Sequence, residues 1–383
     1  MLENQQSPVV GPESAAPQER GGGGLGSSGV LMGSIVLLVV VAAGAYLAWN
    51  VSSSGSAQDV ASPKKIGILS FRQFNDVVAG FKQEMERLGY SSVEYVDILS
   101  VPGPAMMQEI DRDVRKLIFE DDVEAIWASL EMQAKAAVDI TKELGRTDIP
   151  IVFMTRFHDP VEFGVIGSFQ SSGNNSTGVV TNLSEIVQRS LEFFKEIDPD
   201  FKKVGVFSDG FVVTDIGGEY YKELVRQAPN FGFELVEYKT SVPPPEAEAE
   251  FKRVAAEVKE GDIDGLFHIA GHFHGLQETD EGKLAIRLGV PMAAPYEDLP
   301  NGGLFSYSDD FEESGRETAR ILDRIFRGVA PSDIPIAYTA ENVLTLMVDR
   351  AEEAGVVFSD SMLYLAKNKY TNDSDFVKDS LVH

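Results

Sequence analysis

Three of the chain's five histidines, His268, His272 and His274, fall within seven residues. Imidazole is a common ligand for zinc, copper and nickel, so the cluster could serve a zinc- or nickel-binding protein. Gly271 and the apolar run before the cluster argue against a helix that would pair His268 with His272. The first reading of the cluster is therefore a set of hydrogen-bonding groups for an organic solute, with metal as the alternative. Elsewhere polar residues recur at the ends of apolar runs. Ser70, Phe71, Arg72, Phe74 and Asn75 follow one such run. Ser129 and Glu131 follow Trp127, and Thr155, Arg156, His158 and Asp159 follow Met154. Ser208, Asp209 and Thr214 follow a third, and Tyr296, Glu297 and Asp298 a fourth. Ser70, Ser129 and Thr155 would hydrogen-bond polar groups. The guanidinium fork of Arg156 or Arg72 matches a carboxylate. Asp209 suits an ammonium, and Phe71, Trp127 and Tyr296 could stack on a ring or cover aliphatic carbon. Aromatics and a few polar tips on apolar stems make up a small-molecule cleft. A solute with opposite charges at its two ends, such as an amino acid, would use both kinds of residue.

Catalytic signatures are missing. No G-x-S-x-G, H-E-x-x-H or G-x-x-x-x-G-K-[ST] occurs. The Gly-Gly pairs at 217–218 and 302–303 lack the spacing of a dinucleotide fingerprint. The acidic pairs Glu297-Asp298 and Asp309-Asp310 read as solvated loop or helix-start carboxylates, with Asp309-Asp310 suited to a helix dipole. Binding without catalysis and without a cofactor is the expectation.

The candidates require strands that end together. Short apolar runs at 66–69, 93–98, 124–128, 150–154, 204–207, 233–238, 265–269, 291–294, 304–307 and 336–338 read as strands. Helix-period segments at 76–88, 106–119, 131–144, 186–197, 218–227, 247–259, 281–288, 311–326 and 340–353 alternate with them. This alternation implies parallel sheets with right-handed crossovers, whose ligands bind beyond the carboxyl ends of the strands. So many strands fit two sheets better than one, hence two α/β lobes. The break falls near 173–178, where Ser and Gly interrupt the apolar runs. The lobes are expected over 64–175 plus about 302–330, and over 176–301 plus about 331–372, with a tail at 373–383.

The remaining residues are not fold. Residues 1–29, with the tetraglycine 21–24, are too poor in apolar surface to order themselves. Residues 30–49 run for twenty positions without a charge and would rise about 30 Å as a helix, the thickness of a bilayer core. Tyr46 and Trp49 stand at its end, where aromatic rings prefer the interface. The segment reads as an uncleaved transmembrane signal anchor. Ala43-Gly44-Ala45 keeps a cleaved signal peptide open as the alternative. Residues 50–63 read as a flexible linker. The net charge of −27 and the absence of any basic run longer than a pair exclude nucleic acid as an expected partner. The chain has no cysteine, which excludes disulfides, a thiolate metal site and a thioether-linked lipid.

Several stretches resemble one family. Ile68-Leu69-Ser70 with Gly80-Phe81-Lys82 and Leu88-Gly89-Tyr90 resembles the opening of the solute-binding proteins of ABC uptake transporters. Ile149-Pro150-Ile151-Val152-Phe153, Asp159-Pro160-Val161 and Gly173-Asn174-Asn175-Ser176-Thr177-Gly178-Val179 resemble that family's middle. Gly289-Val290-Pro291, Tyr307, Gly315-Arg316, Ile321-Leu322, Gly328 and Pro331-Ser332-Asp333-Ile334-Pro335 resemble its final third. The likeness spans 64 to about 355 and is to the tryptophan/tyrosine-type or unknown-substrate branch. It implies the type I periplasmic-binding fold, with two doubly wound parallel-sheet lobes closing on a solute about a hinge. It implies an extracytoplasmic domain that delivers its solute to permease and ATPase subunits. Lys64 and Lys65 alone would place the bulk in the cytoplasm by the positive-inside rule. The chain departs from the family in lacking a lipobox cysteine and in having Gln73-Phe74-Asn75 where a His-Pro pair is usual. The rule that ligands bind beyond the strand ends places the ligand against Ser70, Phe71, Arg72, Asn75, Trp127, Ser129, Thr155, Arg156, Asp159, Ser208, Asp209, His268, Tyr296 and Glu297. A ligand-sensing receptor domain of the same fold is the alternative reading.

Overall fold

The computed structural model describes residues 65–101, 105–209, 218–240, 247–269 and 278–371. The expected N-terminal segment, transmembrane helix, linker and C-terminal tail lie outside the described residues, as do Thr214, His272 and His274. Among the described residues no helix is long and apolar enough to cross a membrane.

The chain opens with β1 (Lys65–Ser70), α1 (Asn75–Arg87), β2 (Glu94–Leu99), α2 (Met106–Phe119), β3 (Ala125–Ala128), α3 (Glu131–Glu143), β4 (Ile151–Thr155) and β5 (Ser176–Val180). It continues through α4 (Leu183–Ile197), β6 (Lys203–Asp209), α5 (Gly218–Gln227), β7 (Glu234–Thr240), α6 (Ala247–Glu257) and β8 (Gly265–Phe267). Then come α7 (Glu278–Leu288), β9 (Met292–Ala293), β10 (Phe305–Asp309), α8 (Phe311–Phe326) and β11 (Ala337–Tyr338). The described chain ends with β12 (Asn342–Met347), α9 (Val348–Glu353), α10 (Asp360–Leu365) and β13 (Asn368–Tyr370).

Two sheets result. One has the order β11-β5-β4-β3-β1-β2, the other β13-β12-β10-β9-β8-β6-β7. The inner strands are apolar throughout because helices cover both faces. Register pairs Gly67 with Ile126 and Ile68 with Trp127. A Cβ on Gly67 would lie 2.7 Å from Leu117 of α2, so that face meets α2. Trp127 points the other way, packs on Phe81 of α1 and donates its indole N–H to Thr318 of α8 at 3.0 Å. In the second lobe Phe194 of α4 fills one face beside Gly265 and Phe305, while Phe251 of α6 packs on Phe207.

The chain crosses between lobes at 181–182, at 310 and at 339–341, which moves the expected boundaries. The run at 173–178 is not the break. Ser176–Val180 is a buried strand of the first sheet, because its hydroxyls find partners: Ser176 N–H and Oγ donate to Asn174 Oδ1 at 2.8 and 2.7 Å, and Thr177 Oγ1 to Ile334 O at 2.9 Å. β10 belongs to the second lobe and β11 to the first, the reverse of the expected split at 302–330 and 331–372. The helix expected over 340–353 is instead strand β12 followed directly by α9. Its Val343-Leu344-Thr345-Leu346-Met347 run is buried on both faces, so no two-residue alternation marks it. β12 also runs antiparallel to β10, so the second sheet is mixed rather than wholly parallel.

Helices α1 and α8 cross at two glycines. A Cβ on Gly80 would lie 2.1 Å from Glu312 O, and one on Gly315 would lie 2.0 Å from Val77 O. Glu84 ties the same pair, accepting from Arg87 Nε at 2.6 Å and Arg320 Nε at 2.8 Å. The hydrogen bond from Arg87, helped by Arg320 against partial burial, holds its carboxyl down to about 2. Gly80→Ala and Gly315→Ala should each destabilise the protein by about 1–3 kcal/mol, the usual range for overpacking, read as a lowered denaturation midpoint. An unchanged midpoint for both would contradict the close crossing.

Candidate ligand-binding site

The carboxyl end of β4 sets the centre of the site. Glu131, buried at the start of α3, accepts from the Arg156 backbone N–H at 3.2 Å, and its other oxygen lies 2.6 Å from His158 Nδ1. That carboxylate fixes the loop after β4 and sends the Arg156 side chain into the second lobe. Arg156 is 1 % exposed. Its Nη1 donates to Asp309 Oδ2 at 2.9 Å, and its Nη2 to Ser308 Oγ at 3.1 Å and Glu297 Oε2 at 3.2 Å. The guanidinium also lies 5.1 Å from the Phe311 ring centroid, a cation–π distance.

Asp309 stands where the three lobe crossings meet. Thr181 of the first crossing donates to its Oδ2 at 2.6 Å, and Thr339 of the third donates to its Oδ1 at 2.5 Å. The Asp310 N–H of the second crossing donates to Glu341 O at 3.0 Å. A buried carboxylate satisfied by two hydroxyls and a guanidinium is stable in a dry interior, whereas an unpaired one is not.

The second lobe adds Tyr220 of α5 and a 3-10 turn at Tyr296–Asn301. Tyr220 is buried, and its hydroxyl has no hydrogen-bond partner among the described residues. Burial drives that phenol above its ordinary range, although nearby Arg156 opposes the shift. Burial also raises the Glu297 carboxyl, against the pull of Arg156 and with a further push from Asp298. His268, at the end of β8, is 1 % exposed between two carboxylates, with Nδ1 2.9 Å from Glu281 Oε2 and Nε2 3.3 Å from Asp298 Oδ2. Burial disfavours its charged form, yet Glu281 and Asp298 hold the imidazole well above its usual range. The ring thus lies between two carboxylates of its own lobe. Among the described residues no group of His, Asp and Glu is arranged to hold a metal ion.

A cavity of about 460 Å³ opens between the lobes. His158, Asp159, Glu162 and Phe163 line it from the first lobe, and Gly218, Glu219, Tyr221 and Lys222 from the start of α5. The volume falls within the roughly 300–1,000 Å³ range of small-molecule pockets. Asp159 Oδ1 accepts from the Val161 and Glu162 backbone N–H groups at 2.7 and 3.1 Å, which shapes the cavity rim.

The structure draws together some of the residues expected from sequence and disperses others. Arg156, Glu297 and His268 join the buried cluster, Asp159 lines the cavity, and Tyr296 packs edge-on against Phe311 at 5.4 Å. The Thr155 hydroxyl is buried without a partner among the described residues. Ser129 donates to Gln133 Oε1 at 3.0 Å, and Gln133 Nε2 to Ser100 Oγ at 2.8 Å, so it belongs to a hydrogen-bonded loop tip of the first lobe. Ser70 donates to the Phe71 carbonyl at 3.1 Å, and Phe71 is buried. Arg72 and Asn75 are exposed at the start of α1. Ser208 turns to Glu237 of β7, and Asp209 closes β6. Trp127 does not reach the cleft: its ring lies in the core of the first lobe, with its only donor taken by Thr318. The acidic pairs are not solvated either, since Asp298 and Asp309 are buried, while Asp310 caps α8 through the Glu313 N–H at 3.2 Å. Sequence reading missed Tyr220, Phe163, Tyr221 and Lys222. The Tyr220-Tyr221 pair just after Gly217-Gly218 was the available signal.

Asp309→Ala should leave a buried guanidinium short of its closest counter-charge and two hydroxyls unbonded. The expected loss is about 3–5 kcal/mol, read by chemical denaturation. A loss under about 1 kcal/mol, the surface-pair range, would contradict the central place given to this contact.

The comparisons with known proteins agree with this architecture. A "Tyrosine-binding protein" of Clostridioides difficile (strain R20291) is 24 % identical over 327 residues, covering 84 % of this chain and 90 % of the relative. A ligand-free, open substrate binding protein with adhesive properties from Clostridium difficile superposes with a TM-score of 0.64 at 21 % identity, covering 81 % of this chain and all of that one. An ABC domain from Streptococcus pneumonia in complex with L-Trp superposes at 0.62 with 16 % identity, covering 79 % and 99 %. The family model "ABC transporter substrate binding protein" matches residues 66–370, and the chain belongs to that family.

Proposed function

We propose that this chain is the membrane-tethered, extracytoplasmic solute-binding protein of an ABC uptake transporter, capturing an amino-acid-like, aromatic solute between its lobes. The observation that carries the reading is the buried Arg156, which reaches from the first lobe to Glu297, Ser308 and Asp309 of the second, in a molecule that also opens a 460 Å³ cavity between its lobes. Contacts of this kind form only when the lobes approach, so solute capture and lobe closure would be one event. Phe163 and Tyr221 supply aromatic walls, and Asp159, Glu162, Glu219 and Lys222 supply charges of both signs. The name of the Clostridioides relative and the L-Trp bound to the Streptococcus neighbour support an aromatic amino acid. Residues 30–49 would anchor the chain and 50–63 would give it reach, while permease and ATPase subunits would take over the solute.

Thermal denaturation of the full-length chain with L-tyrosine or L-tryptophan tests the reading. A ligand at a hundred times its dissociation constant should add about 2.7 kcal/mol, and at roughly 2–4 °C per kcal/mol the midpoint should rise by several degrees. Tyr221→Ala should reduce that rise. Stabilisation by sugars or zinc with none by any amino acid would contradict the proposal.

A further inference from the structure

Among the described residues, the lining of the 460 Å³ cavity carries three carboxylates, Asp159, Glu162 and Glu219, against one ammonium, Lys222. The ammonium is already matched, since Lys222 Nζ donates to Glu219 Oε1 at 2.5 Å. Glu219 also stands in the first turn of α5, where a carboxylate answers the helix dipole. His158 brings no spare charge, because its Nδ1 lies 2.6 Å from Oε1 of the fully buried Glu131. Asp159 Oδ1 takes two backbone N–H groups, which leave its negative charge in place. Among the described residues no cation is within ion-pair distance of Asp159 or Glu162. The described wall therefore holds two negative charges in excess. Its other surfaces are rings. Phe163 and Tyr221 are half-buried, and the His158 and Phe163 ring centroids lie 4.8 Å apart. The Tyr221 hydroxyl is bonded to Glu237, a residue outside the cavity lining. Partial burial, with that bond, pushes the phenol up to about 12, so Tyr221 offers the cavity a neutral ring with its one donor spent elsewhere.

We infer that this cavity selects an organic cation: an ammonium carried on an aromatic body, with no carboxylate to cancel it. The ammonium supplies the counter-charge that Asp159 and Glu162 lack. Ring faces are electron-rich and attract a cation lying over them, so Phe163 and Tyr221 favour the same ligand as the carboxylates do. The aromatic body stacks against those rings or meets them edge-on. An anion would add a further negative charge to a wall that already has an excess. A zwitterion brings its own carboxylate to that wall and gains less than the bare amine. The net charge of −27 acts in the same direction at long range, because a cleft of one sign concentrates solutes of the other. Lys222 tempers the preference by holding Glu219.

This inference rests on the reading above that an aromatic, amino-acid-like solute occupies the cavity, and one titration separates the two. Calorimetry on the full-length chain at neutral pH compares a cation, a zwitterion and an anion on one ring: tyramine, L-tyrosine and 3-(4-hydroxyphenyl)propionate. The same comparison is made on indole with tryptamine, L-tryptophan and indole-3-propionate. The amine should bind about 10-fold tighter than the zwitterion, the lower worth of a hydrogen bond to a charged group, and the propionate weakest of the three. Glu162 is exposed, so Glu162→Gln should keep the fold and weaken the amine about 2- to 5-fold. Lys222→Met removes a like charge and releases Glu219, so it should tighten the amine by a similar factor, a gain that a damaged fold would not produce. In whichever ring series binds, a zwitterion as tight as the amine, or an amine affinity that neither variant moves, overturns the charge assignment alone. Binding of none of the six compounds overturns the aromatic amino-acid reading and this inference with it.

Discussion

A guanidinium buried among carboxylates is the constraint on which the two-lobed structure turns. Arg156 brings one positive charge to an interface that also holds Glu297, Asp298 and Asp309. Burial alone would favour its neutral form, yet those carboxylates hold it firmly charged. In a chain of net charge −27, such acids gathered without a cation would drive the lobes apart. Removing Arg156 from water is costly, and three hydrogen bonds to Asp309, Ser308 and Glu297 offset that cost.

From this contact the rest of the arrangement follows. Asp309 can face Arg156 only because Thr181 and Thr339, on two other crossings, satisfy its remaining lone pairs. The hinge and the site are therefore one hydrogen-bonded unit. On the far side, His268 binds Glu281 and lies close to Asp298, whose neighbour in sequence is Glu297. The 3-10 turn at Tyr296–Asn301 is thus held from within its own lobe and touches the other lobe through Arg156. A solute entering here would meet charges whose positions the fold has already fixed, which is the condition for tight, selective binding at low ordering cost.

Much of the fold was legible in the sequence. The helices at Met106–Phe119, Gly218–Gln227 and Phe311–Phe326 begin and end where their apolar periods do. What escaped were elements whose burial comes from tertiary context. Val343 to Met347 is buried on both faces and so carries no alternation, and Ser176–Val180 looks like a turn until Asn174 and Ile334 supply partners for its hydroxyls. At the lobe interface the rule that ligands gather beyond strand ends pointed to Arg156, Glu297 and His268, which the fold gathers into one buried polar cluster. The same rule included Trp127, one residue short of its strand's end, and the pleat turns that ring inward. Tyr220 sits on a helix rather than a strand tip, and Asp309 resembled any acid before a helix; only the folded chain brings both to Arg156.

The central claim is that a solute draws the lobes together around the Arg156 cluster. The chain has no cysteine, so spin labels at Lys116→Cys in the first lobe and Glu257→Cys in the second would be specific. Both positions are exposed. The decisive measurement is the distance distribution between these labels in the full-length protein, with and without saturating L-tyrosine. The account predicts that ligand collapses the distribution onto a single narrow, short distance. A distribution unchanged at full occupancy would mean that the solute binds elsewhere or without closure, and would contradict it.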